Sequence, residues 1–337
     1  MVNRRWAVIK SALVAVCLLS IGMLYSVASA KEPRFQEWLT PSKPPFPHDP
    51  AFAPDGSVWY TGQRANVVGR FDPQTETFKE YALPTPNSGP HGIIVGQDGR
   101  VWYTGNSAAL IGEIDPKSGG IIEFKMTNPK ATDPHSIVFD QRGILWFTVQ
   151  EGNFIGKLDP TNGQITLVPL PTRHARPYGI QVNSEDTPYF DEFNTNKIAS
   201  IDPQTMDITE YLLPAAGARP RRLAIAQDDT VYYTDYARGY LAHLDPKMGR
   251  VEEFRSPGGR GSRPYAMAIT SDGAVWFCET GDEDRNRLVR FDPGTKRMES
   301  WPIPSGGGTV RNMVVGQNDD LWLAESGAGK IARVRTK

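Results

Sequence analysis

The stretch from Pro90 to Met126, PHGIIVGQDGRVWYTGNSAALIGEIDPKSGGIIEFKM, decides the fold. It divides into four short runs of strand-forming residues, His91–Val95, Val101–Tyr103, Leu110–Ile114 and Ile121–Phe124. Gln97-Asp98-Gly99 separates the first two and supplies the positive φ of a tight hairpin turn. Asp115-Pro116-Lys117-Ser118-Gly119 separates the last two, with proline fixing φ and glycine closing the turn. The same unit starts at Pro47, Pro134, Pro177, Pro220, Pro264 and Val310. The residue after each start is His48, His91, His135, Tyr178, Arg221, Tyr265 or Arg311, in steps of 43, 44, 43, 43, 44 and 46 residues. Seven four-stranded units at this period predict an all-β, seven-bladed β-propeller over residues 31–337 as one domain.

Phe35–Pro41 (FQEWLTP) has the pattern of a fourth strand, like Phe78–Pro84, Ile208–Pro214 and Met298–Pro304. The last unit stops after its third strand, so the N-terminal strand is expected to complete the last blade and leave no bare edge. Residues 1–30 read as a signal peptide: Arg4, Arg5 and Lys10, an apolar run from Ala12 to Leu24, then Ala28-Ser29-Ala30 with cleavage expected after Ala30. Val16 before Cys17 argues against lipoprotein processing, and Sec or twin-arginine export stays open. A periplasmic or secreted monomer with no membrane anchor after cleavage is therefore expected.

Beyond residue 30 the chain carries 34 basic and 38 acidic side chains. That balance points away from nucleic acid as a partner. Cys278 is the one cysteine left there, which excludes an intramolecular disulfide. The repeated aromatics Trp59, Trp102, Trp146, Tyr189, Tyr232, Trp276 and Trp322 read as packing between blades, and the repeated Asp-Pro pairs as turns.

Function is sought where the units differ. In a propeller the first strand lines the channel, and the end of the second returns to the same mouth. Fourteen residues after the aligned positions stand Gly62, Gly105, Val149, Glu192, Asp235, Glu279 and Glu325. Arg221/Asp235 and Arg311/Glu325 are expected as ion pairs, with Tyr178/Glu192 and Tyr265/Glu279 hydrogen-bonded. His48, His91 and His135 have no such partner; contacts with water and backbone, proton transfer and metal ligation are all open to them. A small-molecule site at the mouth follows, with the histidines exposed in the channel as candidate catalytic groups and Tyr178, Arg221 and Arg311 contacting the ligand. Glu279 and Glu325 would face the histidines as metal ligands or orienting acids. His174, Arg173, Arg176, Arg219, Arg260 and Arg263 form an expected basic rim, and His243 is expected at the surface.

The unit P-H-G-I-x-x-x-x-D-G-x-x-W-F-T-E followed by x-I-G-x-x-D-P-x-T-G, clearest at Pro134–Asp159 and Pro264–Asp292, resembles the streptogramin lyase (virginiamycin B lyase) family. The resemblance covers nearly the whole chain after residue 30. It implies a carbon–oxygen lyase that opens a cyclic depsipeptide by elimination across an ester. A divalent metal, usually Mg²⁺, would stabilise the enolate while a histidine removes the α-proton. The family's active blade has histidine at the first-strand start, glutamate fourteen residues later and histidine three after that. Here those positions are Tyr265, Glu279 and Asp282, and Arg221 replaces a further histidine in the preceding blade. Tyr265 thus occupies the position of a catalytic group. The readings that follow are a metal-assisted lyase on an ester or lactone, a non-catalytic propeller binding a ligand or partner protein, or a lactone hydrolase.

Overall fold

The computed structural model describes residues 32–282 and 284–337, so the signal-peptide reading lies outside the described residues. Seven antiparallel four-stranded sheets form the blades. The unit quoted above folds as strands Pro90–Val95, Val101–Gly105, Leu110–Ile114 and Ile121–Lys125, each within two residues of its expected bounds. Blades 1 to 6 each use four consecutive strands.

Blade 7 combines strands Val310–Val315, Leu321–Glu325 and Lys330–Arg335 with the N-terminal strand Arg34–Leu39 as its outer edge. Arg34 pairs with Arg335 and Leu39 with Lys330, in unbroken antiparallel register. Trp38 lies 4.8 Å from Phe71 of blade 1 and stacks on Trp322 of blade 7 at 6.0 Å. The Glu37–Lys330 ion pair at 2.8 Å adds a polar tie. The closing strand is therefore held by ladder bonds and by side chains reaching into the neighbouring blade.

Between blades the core is a cycle of aromatic wedges. Trp59 packs with Ile93, Val101 and Tyr103 of blade 2, and Trp102 with Ile137 and Phe147 of blade 3. The relation continues round to Trp322, which meets Val58, Tyr60 and Phe71 of blade 1. The Asp-Pro pairs are turns: Asp72, Asp115 and Asp159 each accept the backbone N–H two residues on, at 2.9 Å.

Deleting Phe35–Thr40 removes two half-buried aromatics, Phe35 and Trp38, each worth about 1–2 kcal/mol by transfer, together with the outer ladder. The melting temperature is expected to fall by roughly 10 °C or more. A truncated chain that melts within a degree or two of the intact one would contradict this closure.

Candidate functional site: the channel mouth

A β-bulge at the start of every first strand sets the geometry of the mouth. In blade 2, Pro90 pairs with Gly105 and the next pair is Ile93 with Tyr103, so the first strand carries one extra residue. Every blade carries an irregularity there, including Pro264/Met267 in blade 6. The bulge separates the aligned residue from the end of the second strand, because Glu279 is the partner of Pro264 rather than of Tyr265.

The expected pairs across each blade do not form, for this reason. The Glu279 carboxylate is buried and accepts hydrogen bonds from the Ser256 hydroxyl and, at 2.6 Å, the Gly258 amide. Glu325 accepts from the Ser305 hydroxyl at 2.9 Å, and burial first, then Glu37, pushes its pKa up to about 8. Glu192 accepts from Thr195, and Asp235 from Arg238 and the Arg219 amide. Glu279, Glu325 and Asp235 tie inter-blade loops and Glu192 ties the hairpin of its own blade, and neither Glu279 nor Glu325 faces the histidines as a metal ligand. Asp282 is exposed and pairs with Arg285. His174 is exposed as part of the rim, whereas His243 is half-buried and stacks on Tyr232 at 4.4 Å instead of lying free at the surface.

The seven aligned residues do come together, as a ring. His48, His91, His135 and Tyr178 form a row with ring centroids 3.7, 3.6 and 3.8 Å apart. The hydroxyls of Tyr178 and Tyr265 are hydrogen-bonded to each other. The Arg221 guanidinium lies 3.9 Å from the Tyr265 ring, 4.3 Å from Tyr236 and 4.8 Å from Phe193. A cavity of about 360 Å³ opens over this ring, lined among others by the three histidines, Tyr178, Arg64, Arg176, Arg221 and Arg311. Tyr265 is fully buried behind Arg221 and does not line it. Neither Arg221 nor Arg311 has a carboxylate partner among the described residues.

The histidines are not exposed channel residues: His48 and His135 are 2% accessible and His91 is 4%. Burial drives all three well below the ordinary imidazole pKa. Neighbouring positive charge adds to this, from Arg311, Arg222 and Arg221 at His48 and from Arg222 and Arg221 at His135. All three are therefore neutral imidazoles at neutral pH.

Immediately beneath the ring lies a polar network centred on Arg222. Its Nη2 donates to Asp49 Oδ1 and Oδ2 at 3.0 and 3.1 Å, and its Nη1 donates to Ser136 Oγ at 2.9 Å. Asp49 also accepts from Asn312 Nδ2 at 2.9 Å and contacts His48 Nδ1 at 2.9 Å. Ser136 Oγ lies 3.2 Å from His135 Nδ1. One guanidinium from blade 5 thus links blades 1 and 3 across the channel. Farther along the same strands is a compartment of about 270 Å³, lined by Ile93, Ile137, Ile180 and Leu223 and by the network's own Asp49, Ser136, Arg222 and Asn312.

The sequence reading missed this network, although it has a signal. The residues one past the aligned position are Asp49, Gly92, Ser136, Gly179, Arg222, Ala266 and Asn312. Asp49, Arg222 and Asn312 stand out in a column of otherwise small residues. Gly92 shows why the others are small: a Cβ there would sit 2.3 Å from the His135 carbonyl oxygen of the next blade.

Magnesium does not fit this site. His48, Asp49 and His91 offer donor atoms within 4.8 Å of one another. Asp49, however, is already bound to Arg222 and Asn312, and two of the three donor residues are imidazoles where Mg²⁺ takes oxygen. The arginines that add to burial in keeping the histidines neutral would also repel a cation.

The virginiamycin B lyase family model matches residues 30–259. This chain belongs to that family. Virginiamycin B lyase from Staphylococcus aureus is 27% identical, with a TM-score of 0.82, over 90% of this chain and 99% of that one. A catalytically inactive variant of the same enzyme, with quinupristin, superposes equally at 26% identity, over 90% and 99% of the two chains. A streptogramin B lyase structure gives 25% identity and a TM-score of 0.81, over 90% of this chain and 97% of that one. No curated protein matches the chain significantly in sequence. The family match ends before blade 6, which carries Tyr265, Glu279 and Asp282.

Replacing Arg222 by leucine would leave Asp49 buried without its cation and should cost roughly 3–5 kcal/mol in denaturant unfolding. Glu151→Gln removes the more exposed Arg176–Glu151 pair and should cost less than about 1 kcal/mol. Equal effects from the two changes would show that Arg222 is not the channel's anchor.

Proposed function

We propose that this propeller binds a small anionic molecule at its channel mouth and does not use the metal-assisted elimination implied by its family resemblance. The observation that carries this reading is the pair Arg221 and Arg311, which line one cavity and form no ion pair; Asp133, a carboxylate in the same lining, is bonded to Asn106, and burial pushes its pKa up to about 6. Their uncompensated charge, focused in a recess walled by neutral imidazoles and aromatic rings, favours an oxyanion such as a carboxylate. The cavity volume lies at the lower end of the ~300–1,000 Å³ range of small-molecule sites. Tyr265 and Asp282 at the family's histidine positions, and the poor fit for Mg²⁺, support binding over the relatives' reaction. The mature chain would act as a monomer outside the cytoplasm, with neither nucleic acid nor membrane as its partner.

A second reading, an ester- or lactone-opening enzyme, draws on family membership and on His48, whose ring is held by Asp49 as a base would be.

Phenylacetate should bind in a calorimetric or NMR titration, and its uncharged amide should not. Arg221→Gln and Arg311→Gln should each weaken phenylacetate binding roughly tenfold or more. Equal affinity for acid and amide, or no response to either arginine change, would overturn the anion site. Incubation with quinupristin should leave it unchanged by mass spectrometry and chromatography. A linearised product of unchanged mass would establish elimination, and a gain of one water would establish hydrolysis.

A further inference from the structure

The two outer imidazoles of the row are anchored differently, and the difference fixes what each presents to the cavity. The Asp49 carboxylate, bound to Arg222 and Asn312, can only accept, so His48 Nδ1 carries the proton that bridges them at 2.9 Å. Its Nε2 is then a bare lone pair. Ser136 has the opposite role. Its oxygen already accepts from Arg222 Nη1, and among the described residues the only other partner of this buried hydroxyl is His135 Nδ1 at 3.2 Å. The hydroxyl proton therefore goes to His135 Nδ1, which leaves His135 with an Nε2–H. The hydrogen bonds of both rings to the described residues run through Nδ1, not Nε2, and both rings line the cavity. Each ring is at least nine-tenths buried, so its free nitrogen has little other company than a ligand or water in that cavity.

We propose that Arg222 is a positioning residue that sets opposite tautomers on His48 and His135, making the mouth selective for an oxyanion that also carries a hydrogen-bond donor, as a hydroxy acid does. This rests on the anion site proposed above. The anion would sit toward Arg221 and Arg311. His48 belongs to the blade next to that of Arg311, so its lone pair would receive the ligand's hydroxyl, while the His135 N–H would serve an acceptor on the far side of the row. A plain carboxylate would leave the His48 lone pair unmet, and an ether oxygen would set two acceptors against each other.

Two measurements on the mature protein test this. Long-range ¹H–¹⁵N spectra of histidine-labelled protein should show His48 protonated at Nδ1 and His135 protonated at Nε2. Ser136→Ala should release His135 from its fixed tautomer and leave His48 unchanged. The same tautomer on both rings in the wild type, or a His135 unaffected by Ser136→Ala, would overturn the proposal; the wild-type spectrum suffices if the variant does not fold.

Titration with mandelate, phenylacetate and α-methoxyphenylacetate varies the donor at constant charge. Mandelate should bind roughly three- to tenfold tighter than the other two. Equal binding of all three would overturn donor selection while leaving the anion site standing. No binding by any of them would remove the anion site, and this proposal with it.

Discussion

The channel depends on one buried ion pair, Arg222 with Asp49, joined across the axis from blade 5 to blade 1. A guanidinium and a carboxylate out of water cost several kcal/mol each to desolvate, and only dense hydrogen bonding makes their burial tolerable. Here Asn312 and His48 complete the acid, and Ser136 takes the arginine's other terminal nitrogen. The pair also lies between two cavities, with the ring of histidines, tyrosines and arginines lining one and Asp49 and Arg222 themselves lining the other. The outer wedges hold neighbouring blades together, whereas this pair is a contact across the ring.

The same network explains the chemistry of the mouth. Arg222 takes Asp49, and Arg221 and Arg311 form no ion pair of their own while lining the cavity with positive charge. That charge, added to burial, suppresses protonation of the imidazole row. A site with neutral histidines and free guanidiniums attracts anions and repels Mg²⁺. The family's fold is retained, and the proposed anion site would draw on the charge of Arg221 and Arg311.

Most of the architecture was legible in the sequence because a propeller repeats its constraints. The wedge column Trp59 to Trp322, the Asp-Pro turns and the closing strand Arg34–Leu39 all follow from the period. The ring of His48, His91, His135, Tyr178, Arg221, Tyr265 and Arg311 was found by the same alignment. Its partners were not, because a bulge of one residue shifts the register and sends Glu279 and Glu325 into the inter-blade loops. A one-residue change in a strand redirects every side chain beyond it, and no local signal in Pro-His or Pro-Tyr announces it. Asp49 and Arg222 were overlooked because they lie 173 residues apart and meet only when the ring closes.

The central claim is that burial and the arginines keep the histidine row neutral, and the titration of those rings tests it most directly. The folded pKa values lie below the unfolded value near ~6.5, so the unfolded chain gains protons first and stability should be lost as pH falls through that value. Followed by NMR of the ring carbons from pH 8 to 5.5, His48, His91 and His135 should show no protonation while the protein remains folded. Protonation of any of the three near pH 6.5 in the folded state would contradict the account.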